Sequence, residues 1–308
     1  MHRKGLMREA VYLLGALLLF AFPFSSNAQV SQDDDVVRIN SDLVVLNVTV
    51  VDAQGKYVHG LHRSDFKIFE DGKEQEAALI STFSVEETPF AAVILLDTSG
   101  SMESRMSLAR SAAIRFLDGL RPDDVAAVYK FDAEVEKVQE FSPSRDLAPT
   151  AFALRARGQT ALNDAIVIAA NELSRRPEKR RAIIVLSDGM DTHSGATSDK
   201  ALNQALNAQA MIFTVDMSAQ NGPAPGGQQN VAVLKNFANK SGGRFLATPG
   251  GQTLRDAFAG IVEELSNQYT IGYRPSAQTR DGKWRTIEVK LSRTELSART
   301  RKGYRASK

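Results

Sequence analysis

From Phe90 to Gln268 the chain alternates short apolar runs with longer segments whose apolar residues recur every three or four positions. "AAVILLD" is apolar at almost every position, the pattern of a strand covered on both faces. "ESRMSLARSAAIRFLDGL" places Met106, Ala109, Ala113, Phe116, Leu117 and Leu120 on one helical stripe. The rhythm then repeats. "DVAAVYKF" predicts a strand, "LNDAIVIAANELSRR" a helix through Leu162, Ala165, Ile166, Ala169 and Leu173, and "RAIIVLSDG" a strand. "TSDKALNQALNAQ" predicts a helix, "AMIFTVDM" a strand, "NVAVLKNFANKSG" a helix stopped by Gly242-Gly243, "RFLATP" a short strand and "TLRDAFAGIVEELSNQ" a final helix. Repeated strand–helix units predict an α/β fold, a doubly wound, mostly parallel sheet with helices on both faces. One segment is out of character: "SAQNGPAPGGQQ", Ser218 to Gln229, is long and Gly/Pro-rich and reads as a surface loop.

On either side the period drops to two. Val44, Leu46, Val48 and Val50 alternate with Val45, Asn47, Thr49 and Val51, and "DFKIFEDGKEQEAALISTFSVEE" continues the strand pattern around an Asp71-Gly72 turn. Strands return in "YTIGYRP", in "WRTIEVKL" after a turn at Asp281-Gly282, and in "RTRKGYRA". Neither flank is large enough to enclose a core alone. Residues 36–88 and 268–308 are therefore expected to pair into one flanking β-sandwich, with 89–267 as a separable α/β domain between them.

The first residues stand apart from this pattern. Arg3, Lys4 and Arg8 precede an uncharged run from Ala10 to Phe24, and Ser26-Asn27-Ala28 supplies small residues. That order predicts a secretory signal over 1–28, cleaved after Ala28, then a short acidic linker over 29–35. The run is short for a membrane span and is broken by Pro23, so no stable span is expected after cleavage. The expected location is exported: periplasmic, secreted or at the cell surface. Cleavage removes three basic residues (Arg3, Lys4, Arg8) and one acidic residue (Glu9) from totals of 38 and 36, so the formal charge falls to zero. A nucleic-acid partner is not expected on that balance. Residues 280–308 do hold an excess of Lys and Arg, which reads as the solvent face of strands. There is no cysteine, which excludes disulfides, thiol catalysis and thiolate metal sites.

The candidate chemistry sits where the first buried strand ends, in "ILLDTSGSM". A hydrolase elbow needs Gly-x-Ser-x-Gly, whereas Ser99 is preceded by Asp97-Thr98. Aspartyl phosphatase chemistry would want a second Asp two residues beyond Asp97, where Ser99 stands. Serines there could simply cap the next helix. A hard divalent cation is the better match, since it takes oxygen ligands and open α/β sheets bind ligands at strand carboxyl ends. "RGQTALND" offers Thr160 and "VLSDGMD" offers Asp188 at the same edge.

"DTSGSM", a lone Thr and "SDG" at a strand end resemble the metal-ion-dependent adhesion site of the von Willebrand factor type A family. Its Asp-x-Ser-x-Ser, Thr, Asp pattern falls on Asp97, Ser99, Ser101, Thr160 and Asp188 without departure. The flanks, with "DFKIFEDGKEQ", "YTIGYRP" and "GYRA", resemble exported bacterial VWFA-related proteins of the acidobacterial type. The resemblance implies a family domain over 89–267 holding Mg²⁺, with Ca²⁺ or Mn²⁺ as alternatives. It also implies a non-enzymatic adhesion or assembly role, in which a protein partner offers an acidic side chain to the metal. The competing readings are a hydrolase using the same ion, with Asp191 the one spare carboxylate for a general base, and a structural component whose metal site is vestigial. Asp164, Asp191 and Thr192 read as supporting or capping groups.

Overall fold

The computed structural model describes residues 43–76, 80–84, 88–218, 227–247, 251–276 and 281–306. The expected signal and linker lie outside the described residues.

The central sheet has six strands. β5 (Phe90–Asp97) pairs in parallel with β6 (Val125–Phe131) on one side and β8 (Arg180–Ser187) on the other. Beyond β8 follow β9 (Ala210–Asp216) and β10 (Phe245–Ala247), also parallel. All eight residues of β5 are buried, because both faces are covered. Phe90, Ala92, Ile94 and Leu96 meet α1 (Met106–Asp118) and α5 (Gly251–Ser266). Ala91, Val93 and Leu95 meet α2 (Leu162–Ser174), α3 (Ser198–Asn207) and α4 (Gly227–Ser241). The predicted stripes of α1 and α2 are the faces they bury.

Three features depart from the sequence pattern. The far edge carries β7 (Val135–Ser142), antiparallel to β6 and unforeseen. Its apolar Val135, Val138 and Phe141 recur every third residue, so Val135 and Phe141 pack against one face's core and Val138 against the other's. Of the loop expected over Ser218 to Gln229, residues 219–226 lie outside the described residues, and α4 already begins at Gly227. "RTRKGYRA" is two strands rather than one: β13 (Ser297–Arg299) and β14 (Gly303–Arg305), which join different sheets.

The flanks form two four-stranded antiparallel sheets. One runs β13, β1 (Val44–Val51), β11 (Gln268–Tyr273), β4 (Ile80–Ser84). The other runs β14, β12 (Trp284–Leu291), β2 (Phe66–Glu70), β3 (Lys73–Glu74). They share one core of Leu46, Val48, Phe66, Ile68, Tyr269 and Ile271 among others. Asp71 and Gly72 make the β2–β3 turn with φ of 49° and 78°, the left-handed geometry that the Asp-Gly pair favours.

The outer face of β1 does not meet water. Asn47 and Thr49 are buried, and Thr49 donates its hydroxyl to Glu264 at the end of α5 (3.1 Å). Glu264 is also ion-paired to Arg244 (2.8 Å) and to Arg299. Arg180, the first residue of β8, is fully buried and donates to Thr270 Oγ1 (3.2 Å), to the carbonyls of Thr88 (3.3 Å), Leu265 and Ser266 (3.4 Å each), and to that of Gln268. The sandwich is thus held against the amino ends of the parallel strands by buried charge with many partners.

Candidate metal centre

The opposite, carboxyl edge holds the predicted residues. From β5 the chain steps to β6 on one side and returns to β8 on the other, so the winding reverses at β5. Ligands of open α/β sheets sit outside the strand ends at such a reversal. Asp97 closes β5, Ser187 closes β8, and Asp188 follows immediately.

Three loops meet there, and each is hydrogen-bonded to the other two. In the first, Ser99 N–H donates to Asp97 Oδ1 (2.9 Å), and the Ser99 and Ser101 hydroxyls lie 3.2 Å apart. Ser99 stands before a 3-10 turn (Gly100–Arg105) but its side chain does not cap it. The capping alternative therefore does not describe that hydroxyl. Gly100 N–H donates to Gly158 O (3.2 Å) and Arg157 N–H to Thr98 O (2.8 Å), joining this loop to the one carrying Thr160. Thr160 N–H donates to Thr192 Oγ1 (3.0 Å), while Thr192 and His193 N–H donate to Thr160 O (2.9 Å each), joining the second loop to the third. These bonds use the main chain of Thr160 and leave its hydroxyl out of the clasp. The ring closes where Ser187 donates its hydroxyl to Asp97 Oδ2 (2.5 Å).

Asp191 and Asp164 strengthen the clasp. Asp191 accepts from Asn163 N–H (2.8 Å) and Ser194 N–H (3.1 Å), and Asp164 accepts from Gly195 and Ala196 N–H (2.8 and 2.9 Å). Both act as the sequence suggested, as loop supports. Gly189 takes φ of 80°, and a Cβ there would come within 2.7 Å of the Asn230 carbonyl, so only glycine lets α4 pack against the Asp188 turn. Ser187 escaped sequence reasoning. Its signal was a lone hydroxyl ending the apolar "AIIVLS", one residue before Asp188.

The electrostatics fit a hard cation. Asp97 is fully buried, and burial pushes its carboxyl up to about 6 against the hydrogen bonds from Ser187 and Ser99. The neighbouring charge acting on it is that of Asp188, a second carboxylate, which raises it further. Two carboxylates and small hydroxyls converge, a donor set suited to a hard divalent ion. Among the described residues, no group of three or more His, Asp or Glu side chains is placed to hold a metal. A cation here would therefore rest on hydroxyls as much as on carboxylates.

Residues 92–190 match the family model described as von Willebrand factor type A domain, a span that includes all five candidate residues. A curated relative, an uncharacterised protein of Synechocystis sp., is 33% identical over 184 residues, covering 58% of this chain. The chain spans 42% of that relative's length. Among solved structures, a von Willebrand factor type A protein from Catenulispora acidiphila aligns at 15% identity and TM-score 0.48, over 79% of this chain and 73% of that one. The vWF domain of the type V pili tip protein Mfa5 from Porphyromonas gingivalis aligns at 16% identity and TM-score 0.48, over 57% and 94%. The von Willebrand factor type A domain match, over residues 92–190, falls on the unit built on β5, β6 and β8.

Proposed function

We propose that this chain is an exported binding protein whose carboxyl-edge site holds a divalent cation, Mg²⁺ first and Ca²⁺ or Mn²⁺ as alternatives. Asp97, Ser99, Ser101, Thr160 and Asp188 would hold it. The ring of hydrogen bonds carries the reading, because it gathers residues from three distant loops around two neighbouring carboxylates. When bound, the cation supplies an electrophilic point for an anionic oxygen, and the partner is a protein offering an Asp or Glu side chain. The chain's own part is to orient the hydroxyls, keep the Asp97 carboxylate from water and hold the Thr160 loop against the other two. Among the described residues no helix is long and apolar enough to cross a membrane.

Asp191 weighs against the hydrolase reading. Both its oxygens accept main-chain hydrogen bonds, so the spare carboxylate that a general base would need is engaged in the clasp.

Unfolding of the whole chain with and without Mg²⁺ tests the cation. Binding to the folded state alone stabilises it by about 2.7 kcal/mol at a hundredfold excess over Kd. Asp97→Ala should abolish that gain, and equal gains in both proteins would overturn the site. Capture of an envelope partner in Mg²⁺, in chelator and with Thr160→Ala tests the partner. Capture that survives both changes would move the contact surface elsewhere.

A further inference from the structure

A cleft of about 500 Å³ opens at the opposite, amino edge of the sheet, between the end of α3 and the sandwich strand β14. Leu43, Leu206, Gln209, Arg301, Tyr304 and Arg305 are on its wall. A recess of about 280 Å³ continues past Arg305 to Lys240 and Trp284.

Arg301 is the feature that needs explaining. It is 8% exposed, and its Nη1 and Nη2 donate to the carbonyls of Leu206 (3.2 Å) and Val45 (3.0 Å). Its Nε is buried and has no hydrogen-bond partner. Burial pulls the guanidinium down to about 10, opposed only by Tyr273 and Tyr304, so it is cationic at neutral pH with no carboxylate acting on it. Glu70 is the nearby acid, but it accepts from the hydroxyls of Tyr273 (2.7 Å) and Tyr304 (3.2 Å). A buried guanidinium ordinarily has an anionic partner, since isolated buried charge is costly.

Two neighbours point the same way. Arg305 is exposed and makes only long contacts, to Asn203 Oδ1 and Gly282 O at 3.4 Å each, so its charge is available to the cleft. Gln209 takes φ of 57° after the end of α3, a left-handed position that glycine normally fills. A long amide side chain is kept on the cleft wall at the expense of backbone strain, which is a mark of functional sites.

We propose that this cleft binds a small organic anion, with its oxyanion group against Arg301 and Arg305 and its apolar body against Leu43, Leu206 and Tyr304. The class is a carboxylate or sulfonate carried on a hydrocarbon or aromatic frame. The cleft lies at the other end of the parallel strands from the Asp97 site, and the proposal stands without a metal there.

The probe is 8-anilinonaphthalene-1-sulfonate, titrated by fluorescence into the whole chain beside N-phenyl-1-naphthylamine, which has the same rings without the sulfonate. The expected result is one saturable site for the anion, weak binding of the neutral compound, and no change on chelating Mg²⁺. Arg305→Gln, an exposed position, should weaken the anion by roughly tenfold, the scale of one charge-assisted contact, and leave the neutral compound unaffected. Gln209→Gly removes the left-handed strain, so it should keep or raise the melting temperature while weakening the anion. Equal affinities for the two compounds, or an unchanged affinity in Arg305→Gln, would overturn the proposal. So would a Gln209→Gly protein that loses stability but keeps its affinity.

Discussion

β8 begins at Arg180 and ends at Ser187, and its two ends treat buried charge in opposite ways. At the amino end the Arg180 guanidinium is spread over one hydroxyl and several carbonyls from α5, β11 and the segment before β5. At the carboxyl end Asp97 has one hydroxyl from Ser187 and one N–H from Ser99, and the charge beside it is another carboxylate. The first arrangement is saturated and fastens the sandwich to the sheet. The second holds like charges close, an arrangement that raises the free energy of the empty site and favours whatever cation relieves it. One edge of the sheet thus neutralises its buried charge with many partners, and the other leaves two carboxylates near each other.

Cutting the chain breaks the comparison most severely. Residues 89–267 should still fold cooperatively, because their apolar periods close a core on both sheet faces. They would lose Thr49 and Arg299 from Glu264, and Gln268 and Thr270 from Arg180. The isolated unit should be less stable than the whole chain by roughly 3–5 kcal/mol in urea unfolding, the cost of leaving buried charge unpaired. Equal stabilities would mean that the amino edge does not depend on its partners. Arg180→Ala in the whole chain is next, at about 3 kcal/mol, since it orphans several carbonyls at once. The loss should leave the Mg²⁺-dependent gain in stability intact.

The remaining tests sharpen the other end. Ser187→Ala removes the donor to Asp97 and the acceptor for Gly189 N–H (3.0 Å). A hydrogen bond to a charged group is worth about 1.5–3 kcal/mol, so unfolding should register a loss of that size. Calorimetric Mg²⁺ affinity should fall as well, although Ser187 is not among the proposed ligands. Unaltered affinity would show that Asp97 is positioned without it. Thr192→Val deletes the acceptor for Thr160 N–H and should cost about 1 kcal/mol. Its effect on partner capture should exceed its effect on Mg²⁺ affinity, and the reverse order would place Thr160 with the other cation ligands in function.

What was readable in advance divides along the same edges. β5, α1 and α2 announced themselves because each buries a face with its own regular period, and the loops carrying Asp97 and Asp188 because each follows an apolar strand. Ser187 was hidden by being one hydroxyl in an apolar strand, with a role that exists only because β5 lies beside β8. Arg180 and Glu264 carry no local pattern that marks them as buried, and it is the docking of β1 and β11 that encloses them. β7 was missed because its apolar residues recur every third position and its register with β6 is irregular, so it carries neither clean period. The splitting of "RTRKGYRA" depends on which sheet each half can reach, information that no local pattern holds.

The pairing of β1 has a consequence in time. Val44 lies opposite Tyr273 and Val50 opposite Ala298, so the first strand of the sandwich has its hydrogen-bonding neighbours near the far end of the chain. As the polypeptide emerges, the central sheet can close from consecutive segments while "VVLNVTVV" waits with both edges unsatisfied. An unpaired valine-rich strand is a template for pairing with other chains. The slow, concentration-sensitive step in making this protein should be the arrival of β11 and β13, with the clasped loops already in place.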